Sequence, residues 1–145
     1  MAVDPSANRL YGANWDTKRI YIWDTSGRLI RSASSADLKS STRIWLPAVQ
    51  DWKSIGPGRV LLGGLAKTPG SQPSTDQSVL EVWDLDSLTR VRSIRVPRPK
   101  GFTGEVANEG CAVWKGRVYF LPDDLGGNAA IQVFLWADQP PDPAP

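Results

Sequence analysis

Three segments of the 145-residue chain carry one pattern, and that repetition limits the fold more than any other feature. Each opens on an arginine followed by β-formers, passes a turn or loop, and ends on an apolar strand that closes on Trp near Asp. The first joins Arg9-Leu10-Tyr11-Gly12 to Arg19-Ile20-Tyr21-Ile22-Trp23-Asp24. The second joins Arg59-Val60-Leu61-Leu62-Gly63-Gly64 to Val79-Leu80-Glu81-Val82-Trp83-Asp84. The third joins Arg117-Val118-Tyr119-Phe120 to Ile131-Gln132-Val133-Phe134-Leu135-Trp136-Ala137-Asp138. A unit repeated at such a period cannot bury its apolar face alone, so copies must stack to build a core. Trp83 lies 60 residues after Trp23, and Trp136 lies 53 after Trp83. Blade-type repeats run to about 40–50 residues, so the excess belongs in loops, above all 68–78, which is rich in Pro, Ser and Gly.

The units extend on both sides. After Trp-Asp comes a turn and an Arg-bearing strand: Asp24-Thr25-Ser26-Gly27 into Arg28-Leu29-Ile30-Arg31-Ser32, and Asp84 to Thr89 into Arg90-Val91-Arg92-Ser93-Ile94-Arg95-Val96. The alternation Arg90/Val91/Arg92 has the period of two expected of a strand with one wet face. The third copy has no such strand, because the prolines of 139–145 donate no N–H to a ladder. A strand also precedes the later units. Gly110-Cys111-Ala112-Val113-Trp114 turns through Lys115-Gly116, a hairpin signal, and Ile44 to Trp52 holds the same place with Pro47 interrupting it. The opening Asp4-Pro5-Ser6-Ala7-Asn8 reads as a turn that follows an earlier strand. Pro and Gly number 12 and 13, no window keeps a 3.6 period, and one helical turn at 36–41 is the most helix expected.

These residues resemble the broad superfamily of YVTN-type, quinoprotein-like and WD40-like β-propellers, over most of residues 4–138. The resemblance implies an all-β fold of antiparallel blade-like sheets, an incomplete β-propeller. It implies one domain over 1–138 of about three repeats (approximately 1–35, 42–97 and 106–138), with a Pro-rich tail at 139–145. The chain has no histidine, so the Gly-His dipeptide of the WD40 pattern is absent and the less regular YVTN-like class fits better.

Composition narrows the chemistry. A net charge of +2 lacks the basic excess of a nucleic-acid binder. No apolar run is long enough for a transmembrane helix. Without histidine, imidazole catalysis and His-ligated metals are excluded. Cys111, the one cysteine, lies in an apolar strand without an evident base, which reads as an inert buried thiol. Asp123-Asp124 and Glu105/Glu109 match no calcium loop, and Gly56-Pro57-Gly58 and Gly126-Gly127-Asn128 read as turns rather than phosphate loops. No catalytic, cofactor or metal site is expected.

Two features remain as interaction candidates. Trp23, Trp83 and Trp136 recur at one repeat position and read as core, whereas Trp15, Trp45, Trp52 and Trp114 are irregular and fit exposed contacts. The basic cluster Arg90, Arg92, Arg95, Arg98 and Lys100 is either a solvated strand edge or a patch for an acidic partner or lipid head groups. The candidate partner-binding residues are thus that cluster with Trp45 and Trp52. Three repeats do not close a propeller, which takes about 4–8 blades. The expected function is a non-enzymatic protein-binding or structural accessory subunit, with other protein subunits as partners, in a hetero-complex or homo-oligomer. A piece of a propeller enzyme and a Trp-based sugar-binding module are the alternatives.

Overall fold

The computed structural model describes residues 1–13, 19–37, 48–66, 77–122 and 130–136. Those residues are all-β, with one short 3-10 turn at Ser35–Asp37 and no α-helix. The first sheet holds β1 (Ala2–Asp4), β2 (Arg9–Ala13), β3 (Arg19–Asp24) and β4 (Leu29–Ser34). The second holds β5 (Ala48–Gly56), β6 (Arg59–Ala66), β7 (Gln77–Asp84) and β8 (Thr89–Arg95). The third holds β9 (Gly110–Trp114), β10 (Arg117–Leu121) and β11 (Gln132–Leu135). Each is an antiparallel meander in which strands adjacent in sequence pair. The all-β class with blade-like antiparallel sheets is therefore the architecture found. The 3-10 turn at Ser35–Asp37 overlaps the start of the helical turn expected at 36–41, of which 38–41 lie outside the described residues. Of the strand expected over Ile44 to Trp52, residues 44–47 lie outside the described residues, and β5 runs from Ala48 to Gly56.

Local chemistry explains the turns. Lys115 and Gly116 have φ of 46° and 71°, the pair of positive values that a two-residue hairpin loop requires. The acids after Trp23 and Trp83 hold the next turn, as their position implied. Asp24 accepts from the Ser26 and Arg28 N–H groups, both at 3.0 Å, and Asp84 accepts from the Ser87 N–H at 2.8 Å. A β-bulge recurs at one place in two sheets. Trp23 pairs with Leu29 after Ile22 has paired with Arg31, and Trp83 pairs with Arg90 after Val82 has paired with Arg92. The skipped residues, Ile30 and Val91, are exposed.

Register corrects the third repeat. Arg9 faces Asp24 and Arg59 faces Asp84, but Arg117 faces Leu135. Phe134, opposite Val118, therefore holds the place of Trp23 and Trp83. Trp136 lies past the end of β11, and its N–H donates to the Gly116 carbonyl at 2.8 Å. The strand pairing of β10 with β11 sets this place, and spacing from one Trp to the next does not.

With the register known, each sheet has two defined faces. The front face carries Leu10 and Trp23 in the first sheet, Val60, Leu62 and Trp83 in the second, and Val118, Phe120 and Phe134 in the third. The back face carries Tyr11, Ile20 and Ile22, then Leu61, Leu80 and Val82, then Tyr119 and Val133. Two apolar clusters fill the space between sheets. One joins Tyr11, Ile20 and Ile22 to Val49, Trp52, Val60, Leu62 and Trp83. The other joins Leu61, Leu80 and Val82 to Cys111, Val118 and Phe120, with Phe134 against it. The rule is the same at both junctions: the front of one sheet packs on the back of the sheet before it.

That rule corrects the reading of the tryptophans. Trp83 is buried between the first two sheets. Trp23, at the equivalent place in the first sheet, is only half-buried, because no described element covers that front face. Its indole lies over Gly12 and stacks on Tyr21 with centroids 5.4 Å apart. Truncating a buried aromatic costs about 3–5 kcal/mol. Chemical denaturation of Trp83→Ala is expected to show a loss of that order, and an unchanged midpoint would contradict the stacking.

Candidate interaction surface

Carboxylates, one of them buried, pin the sheets to one another. Asp4, at the end of β1, accepts from the Ser6 hydroxyl (2.6 Å) and the Ala7 N–H (3.0 Å) through Oδ1. Its Oδ2 accepts from the Tyr11 hydroxyl (3.0 Å) and from the Gly58 N–H of the β5–β6 turn (2.9 Å). Gly58 has φ +67°, and a Cβ there would sit 2.5 Å from an Asp86 carboxylate oxygen, so only glycine suits the turn. Burial pushes the Asp4 carboxyl upward, but the hydrogen bonds from Ser6, Gly58, Ala7 and Tyr11 outweigh it and hold the group below its ordinary 3.8. Burial, with the Asp4 hydrogen bond and charge behind it, pushes the Tyr11 phenol up to about 12. At the second junction Asp51 of β5 accepts from the Cys111 N–H of β9 at 3.0 Å. Arg9 pairs with Asp86, and Arg31 donates to the Asp86 carbonyl at 3.1 Å, closing the outer rim of the first junction.

The structure takes one member of the basic cluster out of the surface. Arg90 turns into the front face of the second sheet, where its guanidinium meets the buried Glu81 carboxylate at 3.0 Å. Glu81 also accepts from Trp83 Nε1 (2.8 Å) and the Ser93 hydroxyl (2.9 Å), so Arg90 completes an internal network. Arg98 pairs with Glu105, which in turn accepts from the Ser78 N–H and hydroxyl. Arg92 stands opposite Val82 and Arg95 opposite Val79, which places them on opposite faces of β8. Arg95 and Lys100 are exposed. Arg90 is thus withdrawn into the sheet, while Arg92, Arg95, Arg98 and Lys100 keep exposed positions.

The tryptophans divide as well. Trp52 is withdrawn from the contact surface: it is 4% exposed, opposite Leu62, in the cluster between the first two sheets. Trp45 lies outside the described residues, as do Trp15, the acids at 123–124 and the tail. Trp114 is 60% exposed, with the Lys115 ammonium 4.6 Å from its ring centre. Cys111 packs against Gly63 at the second junction; burial and then the Asp51 charge push its thiol up to about 12. Such a thiol carries almost no thiolate at neutral pH. Among the described residues no three His, Cys, Asp or Glu gather as a metal would need. No described helix is long and apolar enough to cross a membrane.

The surface that stands out lies at the two ends of the stack. The back of the third sheet carries Trp114, Leu121, Ile131, Val133 and Leu135, all exposed, the last at 81%. The front of the first sheet carries exposed Val3 and Leu29 beside half-buried Leu10, Tyr21 and Trp23. Seven of the ten exposed large apolar side chains among the described residues therefore lie on these two faces. Exposed apolar residues scattered singly need no explanation, but clusters mark contact sites. The sequence held this signal in the alternation Ile131/Val133/Leu135, obscured by matching the third repeat on Trp136. No protein-family model matches the chain, and no similar sequence is found among curated proteins.

The Asp4–Tyr11 pair gives stability a pH signature. A lowered carboxyl contributes stability above its ordinary pKa and loses it as pH falls through the folded value; a raised phenol contributes below about 10 and loses it as pH climbs toward about 12. Asp4→Ala leaves buried donors unmatched and is expected to cost on the order of 3 kcal/mol at pH 7. Thermal melts from pH 8 to 12 should show the wild type losing stability that Tyr11→Phe retains. Parallel alkaline limbs for the two proteins would contradict the assignment.

Proposed function

We propose that this chain is a non-enzymatic protein-binding or structural module of the β-propeller type, whose blade-like end faces dock other protein subunits in a larger assembly. The observation that carries this reading is the concentration of exposed apolar side chains on the front of the first sheet and the back of the third. Each such face, in the two junctions within the chain, is covered by a neighbouring sheet. An open sheet face of this kind is stabilised when a partner removes it from water, at roughly 25 cal/mol per Å² of apolar area. The raised thiol of Cys111 and the internal pairing of Arg90 and Arg98 support a structural part for these reactive and charged groups.

Hydroxyl-radical footprinting tests the proposal. The tagged chain is labelled within its native particle and, separately, as purified chain at nanomolar concentration. Trp114, Val133 and Leu135 are expected to be protected several-fold in the particle. Equal labelling of these residues in both samples would overturn the reading.

A further inference from the structure

We propose that the partner for the two end faces is a second copy of this chain, arranged head to tail, so that two copies close a ring of six sheets. The inference rests on the protein-binding reading above and names its partner. It comes from the stacking rule. Twice within the chain, a front face bearing an aromatic opposite an aliphatic residue packs on the back face of the sheet before it. The first junction sets Val60, Leu62 and Trp83 against Tyr11, Ile20 and Ile22. The second sets Val118, Phe120 and Phe134 against Leu61, Leu80 and Val82.

The two uncovered faces are the missing halves of that same junction. By register, Leu10 and Trp23 occupy the positions of Val60 and Trp83, and these lie on the open front of the first sheet. Tyr119 and Val133 occupy the positions of Tyr11 and Ile22, or of Leu61 and Val82, and these lie on the open back of the third sheet. Among the described residues, an open front and an open back therefore lie on the first and the last sheet, each carrying residue types of the kind that the other meets inside the chain. Two copies of the same face would not satisfy the rule, since front has met only back.

The contact is heterologous, so it either closes into a ring or grows into a filament. Closed rings of blade-like sheets hold about 4–8 members, and the three sheets of the described residues bring six in two copies. The first strands of successive sheets are already in contact, β1 with β5 and β5 with β9. Closure would bring β9 of one copy beside β1 of the other. It would cover Trp114, Val133 and Leu135 on one side and Val3, Leu29 and Trp23 on the other.

Light scattering of the purified chain at about 50 µM, with two charged variants, decides the matter. The wild type is expected at twice the 15.9 kDa chain mass. Leu10→Glu places a charge on the open front and Val133→Lys places one on the open back, and each variant alone is expected to be monomeric. Mixed in equal amounts they should recover the dimer, because one junction then joins Glu to Lys and the other is wild type. Recovery also shows that both variants are folded. If Leu10→Glu loses its strand signal in circular dichroism, the more exposed Leu29→Glu takes its place in the same mixing test. A wild type that stays monomeric with an intact strand spectrum overturns the inference, as does a particle larger than a dimer. A dimer broken by only one variant, or by neither, overturns it too. A monomer whose end faces are nonetheless protected in the native particle removes the second copy as partner and leaves the protein-binding reading standing. Equal footprints in both samples remove that reading as well.

Discussion

Everything in this chain follows from a middle sheet that is apolar on both faces. In β6 the residues Val60, Leu61 and Leu62 are all fully buried, although adjacent strand residues point to opposite sides. β7 repeats the pattern through Val79, Leu80, Val82 and Trp83. A strand of this kind must be covered twice, and the chain supplies one sheet for each side. The first sheet contributes Tyr11, Ile20 and Ile22, and the third contributes Cys111, Val118 and Phe120. The covering sheets are then left with one dry face and one open face apiece, which is how the exposed apolar groups come to lie at the two ends.

Polar groups decide how the sheets meet. Burying a carboxylate is unfavourable unless its oxygens accept enough hydrogen bonds. Asp4 meets that condition only if the turn carrying Gly58 sits beside it, so the fit of the first two sheets is written into one side chain. Asp51 binds the backbone of β9 in a comparable way at the second junction. Glu81 works within the second sheet, tying the Trp83 indole to Arg90 and Ser93. Breaking a buried pair such as Arg90–Glu81 leaves a charge uncompensated, which is strongly destabilising.

The meanders were legible in sequence because each rests on local signals. The Arg-led strands, the acids after Trp23 and Trp83, and the Lys115-Gly116 turn all mark strand ends through the backbone bonds they allow. What depends on register was harder to read. Trp136 resembles Trp23 and Trp83 by its neighbours, yet the pairing of Arg117 with Leu135 gives Phe134 that place. Trp52 looked irregular because the repeat was matched on the later strands, whereas β5 sets it opposite Leu62 in the core. The basic run from Arg90 to Lys100 looked continuous because linear spacing does not show that Glu81 and Glu105 reach two of its members. The open faces emerge only once front and back are assigned, which takes the pairing of all three sheets.

The central claim is that front packs on back at both junctions. Nuclear Overhauser spectroscopy of the methyl-labelled protein tests it most directly. The Trp83 indole should show cross-peaks to methyls of Ile20 and Ile22 in the first sheet. The Phe120 ring should show cross-peaks to methyls of Leu80 and Val82 in the second. A Trp83 indole that instead meets the Val118 methyls of the third sheet, or a spectrum with no cross-peaks between sheets, would contradict the account.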